Sequence, residues 1–238
     1  MGGLTVAVLA HNEATRGYLA EVLAQWAPVA DRLLVVDDRS TDGTAELARS
    51  AGAEVLSAAA LDPAADFAHE NLLRAAVWRA ATHPAPAWIA LPDADELTDP
   101  PPVRWVPHAM QSQELSALTA PLYDLWDDRR HYRDDRLWCA HYGSWPLLVR
   151  YRKGARYRFP DRAHHVGRWP ENAIGGGLVV REQRIRVLHL GWLRPEDRAA
   201  KHARYLQMDP GGRWGSAQQY ASILDPRPHL RRLPPLPA

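Results

Sequence analysis

The stretch WIALPDADE, Trp88–Glu96, decides how the chain is read. Its apolar half, Trp88-Ile89-Ala90-Leu91, has the length and composition of a short buried strand. Pro92 has no N–H for a ladder bond, so the strand is expected to stop there. The carboxylates of Asp93, Asp95 and Glu96 then stand at the mouth of the strand rather than inside a sheet. A bend after Pro92 lets Asp93 and Asp95 converge on one cation, and carboxylate oxygens are hard ligands that suit Mn2+ or Mg2+. The competing reading is a solvated acidic turn running into Thr98-Asp99-Pro100.

Working outward, the apolar runs Leu4–Leu9, Leu33–Val36 and Ala53–Leu56 read as further buried strands. Between them, Tyr18–Trp26, Ala45–Ser50 and Asp66–Ala81 carry helical spacing. Strands alternating with helices predict a mostly parallel sheet flanked by helices. In such sheets ligands bind beyond the carboxyl ends of the strands. Three of the strands end in polar clusters: His11-Asn12-Glu13, Asp37-Asp38 and Asp93-Ala94-Asp95. In DDRSTDGT, 37–44, the residues Ser40, Thr41 or Asp42 can cap the next helix and Gly43 permits a tight turn. Capping does not account for Asp37-Asp38, adjacent carboxylates that imply a partner such as a base or ribose. Neither GxGxxG after the first strand nor GxxxxGK[ST] anywhere is present. Any phosphate must therefore be neutralised by a metal or by basic side chains.

AHNEATRGYLAEVLAQW, LLVVDDRSTDGTAELA and WIALPDADE, in this order and spacing, resemble glycosyltransferase family 2 over about residues 4–98. The resemblance implies a GT-A fold: an α/β, Rossmann-like, mostly parallel sheet with a smaller mixed C-terminal acceptor portion. It also implies a nucleotide-diphosphate-sugar donor, a UDP-sugar first of all, a divalent metal and inversion at the anomeric carbon. Carried over, His11, Asn12, Glu13, Asp38 and Ser40 contact the nucleotide, Asp93 lies near ribose and metal, and Asp95 holds the metal. Family members often have Arg-Asn in the helix before the DAD strand. Here the pair is Glu70-Asn71, with Arg74 one turn on, so Asn71 and Arg74 are the donor-side candidates.

The second half is less patterned. Leu115–Leu125 reads as one strand and Trp145–Tyr151 as another. Asp127–Arg136 mixes both charge signs, as a solvated loop or an acceptor loop does. Arg150–Arg168 is rich in Arg and holds His164-His165, a pattern that suits a diphosphate as well as a nucleic acid. HLGWLRPEDRAAKHARYLQMD, 189–209, resembles the family's C-terminal segment, which makes His189 the third metal ligand. Lys201, Arg204 and Tyr205 share one helical face that can close over a diphosphate. For the acceptor base the candidates are Asp161 first, then Glu171, with the acidic residues of the charged loop behind them. Seven of the ten Trp lie from Trp105 onward, and exposed Trp faces stack on sugar rings. The acceptor is accordingly expected to be a carbohydrate or another small molecule.

Composition bounds the rest. A chain of 238 residues with net charge +1 has no global field favouring nucleic acid. Its single cysteine, Cys139, excludes an intrachain disulfide. No apolar stretch approaches the roughly 20 residues of a membrane span, and a cytoplasmic location is expected. The domain expectation is a donor half over 1–99, an acceptor and C-terminal half over 100–225, and a flexible Pro-rich tail over 226–238. The functional expectation is a metal-dependent inverting hexosyltransferase. The alternatives are a nucleotidyltransferase of related fold, which normally opens with a Gly-rich loop, and a non-catalytic nucleotide-sugar or glycan-binding protein.

Overall fold

The computed structural model describes residues 3–237. The first four strands are β1 (Leu4–Ala10), β2 (Arg32–Asp37), β3 (Glu54–Ser57) and β4 (Trp88–Ala90). Helices α1 (Tyr18–Trp26), α2 (Thr44–Ser50), α3 (Ala58–Leu61) and α4 (Glu70–Ala81) run between them. Every residue of β1 is buried, because this strand sits between β2 and β4 with helices on both faces, and both pairings are parallel. Burying one Leu or Val side chain contributes about 1.5–3 kcal/mol, so β1 anchors the sheet.

The remaining strands are β5 (Glu96–Asp99), β6 (Leu115–Ala120), β7 (Leu122–Asp124), β8 (His131–Arg133), β9 (Trp145–Arg150), β10 (Leu178–Arg181), β11 (Arg186–His189) and β12 (Leu230–Arg232). The helices of this half are α5 (Val106–Gln111), α6 (Pro195–Met208) and α7 (Ala217–Ser222). Seven strands form the main sheet in the order β10-β6-β9-β4-β1-β2-β3. Strand β9 alone runs antiparallel to its neighbours, so the expected mostly parallel, helix-flanked α/β sheet is present. A second sheet, β5-β11-β7, stands against its carboxyl edge. Its register sets His189 opposite Glu96 on one side and Asp124 on the other.

Three expectations change. Leu115–Leu125 is not one strand: Pro121 has no N–H to continue the ladder, and the chain leaves the main sheet there to start β7 in the second. The Pro-rich tail is not loose. β12 pairs antiparallel with β8, Leu230 packs beside the buried Trp126, Trp138 and Trp192, and Arg186 Nη1 donates to the Pro234 carbonyl at 2.5 Å. The charged run 127–136 is likewise only partly solvated. Arg133 is 2% exposed and lies over the rings of Trp126 and Trp138 at 4.8 and 5.0 Å. No helix among the described residues is long and apolar enough to cross a membrane.

Removing residues 229–238 deletes a paired strand and a buried Leu contact, a loss of about 2 kcal/mol. For a chain of this size the melting temperature should fall by roughly 4–8 °C. An unchanged melting curve would mean the tail contributes nothing to the fold.

Candidate active site

The carboxyl ends of β1 and β4 open into a cavity of about 240 Å3. Its wall takes His11 and Glu13 from the loop after β1, Asp93 and Asp95 from the turn after β4, and His189 from the end of β11. Arg74 comes from α4, and Lys201, Arg204 and Tyr205 come from one face of α6. The sequence-predicted metal and donor residues are thus largely brought together across some 200 residues of chain.

Asp95 is the electrostatic centre. It accepts from Arg16 Nη2 and Lys201 Nζ, both at 3.1 Å, and lies 3.6 Å from His189 Nε2. Burial works to raise its pKa, but the charges of Lys201 and His189, and then Arg16, outweigh burial and hold it well below the usual carboxylate range. His189 is fixed from behind, where its Nδ1 bonds Asp124 Oδ1 at 2.7 Å, which turns Nε2 toward Asp95. Burial and Lys201 disfavour the charged imidazole. Asp95 and Asp124 more than offset them, and the pKa rises to about 9. Lys201 Nζ lies only 3.3 Å from His189 Nε2, so with Arg16 three cations share one buried carboxylate.

Gly191 shows why that point is open. A Cβ built there would come within 2.0 Å of Lys201 Nζ, 2.3 Å of Asp95 Oδ2 and 2.7 Å of His189 Nε2. Only the absence of a side chain leaves room for this cradle, in which Lys201 Nζ now sits. An oxygen and an imidazole nitrogen facing a small gap suit Mn2+ or Mg2+, so Asp95 and His189 fit a divalent cation. To ligate it, the imidazole must lose its proton and Lys201 must yield its place.

Asp93 points elsewhere. It accepts from Arg74 Nη1 at 3.0 Å and stands 3.4 Å from Arg168 Nη2. Burial opposes its charge, but Arg168 and Arg74 prevail and lower its pKa. Among the described residues no three His, Cys, Asp or Glu side chains converge as a metal site. The expected trio of Asp93, Asp95 and His189 is therefore a pair, with Asp93 held apart by two guanidiniums.

Several predicted donor residues act one layer back. Asn12 takes a left-handed backbone, φ 53°, its N–H donates to Ser40 Oγ at 2.9 Å, and its Oδ1 accepts from Thr41 N–H at 2.8 Å. Asn12 and Ser40 thus tie the loop after β1 to the loop after β2. Asp42, rather than Ser40 or Thr41, accepts from the Thr44 N–H at the start of α2. Asp38 is buried, paired with Arg39, and accepts from Phe67 N–H at 3.2 Å. It pins the segment that sets the Phe67 ring edge-on to His11 at 5.2 Å. Asn12, Asp38, Ser40 and Asn71 do not line the cavity. Asp161 and Glu171, the expected bases, are both exposed and border neither this cavity nor its neighbour. They follow β9 in a segment whose path the sequence pattern does not constrain.

Sequence reasoning missed Arg16, which spans Glu13, Asp95 and Asp197, although it lies inside the stretch that carries the resemblance. It also missed Asp124, and it read Arg168 only as part of an Arg-rich run suited to a diphosphate, whereas Arg168 pairs with Asp93 and Glu96. Arg204, in contrast, makes no ion pair among the described residues. It stacks near Phe67 and Tyr205, 5.9 and 5.7 Å from their ring centroids, with its charge facing the cavity. Glu13 is 9% exposed, and burial pushes its pKa to about 7 despite Arg16.

No family model matches the chain. Uncharacterized proteins of Mycobacterium tuberculosis and Mycobacterium bovis are each 28% identical over 216 residues, 89% of this chain and 52% of theirs. The chain thus spans about half the length of the curated relatives it matches. Among solved structures, glucosyl-3-phosphoglycerate synthase from Mycobacterium tuberculosis, in complex with Mn2+, UDP and glucosyl-3-phosphoglycerate, is 22% identical. The match covers 51% of this chain and 44% of that one, with TM-score 0.41. A structure described as a mycobacterial protein is 23% identical over 51% of this chain and 41% of its own, also with TM-score 0.41.

Two outcomes follow from the geometry. Gly191→Ala should lower Mn2+ affinity at least about tenfold, measured by the EPR signal of free Mn2+, with stability reduced by about 1–3 kcal/mol from overpacking. Unchanged affinity would place the cation elsewhere. Glu13 has a folded pKa near 7 against 4.5 for the free group. Its contribution to stability is therefore full below pH 4.5 and lost as pH rises through 7. Thermal melts of the metal-free protein over that window should flatten in Glu13→Gln, and an identical slope in both proteins would refute the assignment.

Proposed function

We propose that the protein is a metal-dependent glycosyltransferase of GT-A type, moving a hexosyl group from a nucleotide-diphosphate sugar, UDP-linked first of all, to a hydroxyl acceptor with inversion. The observation that carries this reading is the pairing of Asp95 and His189 over Gly191 with Arg204 facing the same cavity. A cation point and a free guanidinium then line one cavity at the carboxyl edge of a mostly parallel sheet, where nucleotides bind. The segment resemblance over 4–98 and 189–209 supports the same assignment.

In this reading His11 and Phe67 wall the nucleotide end. Arg204 meets the diphosphate, with Lys201 and Tyr205 on the same helix face. Mn2+ or Mg2+ at Asp95 and His189 would offset the charge developing on the leaving diphosphate. The acceptor hydroxyl oxygen bonds to the anomeric carbon as the bond from that carbon to the diphosphate oxygen breaks. The electron pair leaves with the nucleoside diphosphate, and the hydroxyl proton passes to a carboxylate of the wall. Asp93 and Asp124, which border the adjoining space, take that role over Asp161 and Glu171. The missing Gly-rich phosphate loop disfavours a nucleotidyltransferase.

Nucleotide release from UDP-, GDP- and dTDP-sugars with and without Mn2+ tests the proposal. One donor should turn over slowly, and Asp95→Ala or chelation should lower that rate at least about 100-fold. Asp161→Asn and Glu171→Gln should remain within about twofold of wild type, because exposed side chains outside the cavity carry little transition-state stabilisation. Failure of every nucleotide to bind would sink the donor reading.

A further inference from the structure

A second cavity, of about 490 Å3, adjoins the first and shares Asp93, His165, His189 and Tyr205 with it. Its excess of carboxylate over cation is larger than the five to four of the first cavity. Three carboxylates face it, Asp93, Glu96 and Asp124, against one guanidinium, Arg168. That guanidinium is already committed, since it holds Glu96 through both nitrogens, Nη2 to Oε1 at 2.6 Å, and reaches Asp93. The imidazoles are committed as well, His189 to Asp124 at 2.7 Å and His165 Nε2 to the Tyr220 hydroxyl at 2.5 Å. An entering phosphate or carboxylate would meet carboxylates and no free cation. A sugar hydroxyl can donate to the carboxylate lone pairs that these bonds leave open, those of Asp124 foremost, since only its Oδ1 is engaged by His189.

The mouth of this cavity carries Trp145, 39% exposed. Of the ten tryptophans it alone is exposed rather than buried or half-buried. Its indole N–H donates to the Ala140 carbonyl at 2.9 Å. Gly143 lies close against that nitrogen, a Cβ there coming within 3.1 Å of it. The ring is thus held in place with apolar surface presented to solvent, an arrangement that gains from a pyranose C–H face laid on it. Tyr142, 69% exposed, belongs to the same turn.

Building on the glycosyltransferase reading, we propose that this cavity binds the acceptor as a neutral sugar stacked on Trp145, its hydroxyls bonded to the carboxylates, and that it discriminates against phosphorylated or carboxylated acceptors. The test is saturation-transfer NMR and calorimetry on the full chain. The neutral probes are mono- to trisaccharides of glucose, galactose and mannose, and the anionic ones are glucose 6-phosphate, glucuronate and 3-phosphoglycerate. At least one neutral saccharide should bind about tenfold or more tightly than every anionic probe. Trp145→Ala should weaken that binding about tenfold, Trp145→Phe should retain it, and UDP affinity should stay within about twofold in both. Preference for an anionic probe, no neutral saccharide bound, or binding indifferent to Trp145→Ala would each overturn the proposal. Saccharide binding by a protein that fails to bind any nucleotide would instead remove the donor reading and leave this site standing.

Discussion

The buried carboxylate of Asp95 is the point on which the site closes. Its partners come from three separate places: Arg16 from the loop before α1, His189 from the second sheet and Lys201 from α6. Arg16 continues to Asp197 in the first turn of α6, where the Tyr18 hydroxyl also bonds at 2.9 Å. The helix that carries Lys201 and Arg204 is therefore docked through the same network that surrounds Asp95. Removing one member of a buried ion cluster leaves its partners uncompensated, at about 3–5 kcal/mol. Few single changes near this cavity can alter chemistry without also loosening α6.

Much of the architecture was legible because it rests on local pattern. Apolar runs of four to seven residues bounded by polar clusters mark β1, β2 and β4, and helical spacing marks α1 and α4. Where the pattern misled, a backbone property or a distant partner decided. Pro121 breaks one apolar run into strands of two different sheets. The tail looks extended and solvated in composition, yet its backbone finds β8, about a hundred residues away. The positive φ of Asn12 and of His165, both in loops that border the cavity, is a local strain that no periodicity reveals.

The candidate site was legible by residue type and only partly by geometry. The DAD turn does deliver carboxylates to the sheet edge. Arg74 and Arg168 draw Asp93 away from Asp95, and neither contact can be read from spacing, because Arg168 lies 75 positions downstream. Asp38 and Ser40 look like ligand contacts in sequence and instead hold the loops that shape the wall. The base candidates lie apart from the cavities for a related reason. Proximity of Asp161 and Glu171 to the His164-His165 pair in sequence did not become proximity in space to either cavity.

The register of the second sheet explains why the two cavities differ in charge. β11 lies between β5 and β7, so His189 stands level with Glu96 and Asp124. Those two carboxylates flank the imidazole from the neighbouring strands, while Lys201 of α6 meets its Nε2 at 3.3 Å. One three-stranded register thus divides the space into a face with an unpaired guanidinium and a face of carboxylates under aromatic walls. In the proposed reading, a charged donor and an uncharged acceptor would meet at such a boundary without either crossing the field that suits the other. The imidazole at the boundary lines both cavities, so the group that would ligate the cation is also the group whose orientation Asp124 sets from the second cavity.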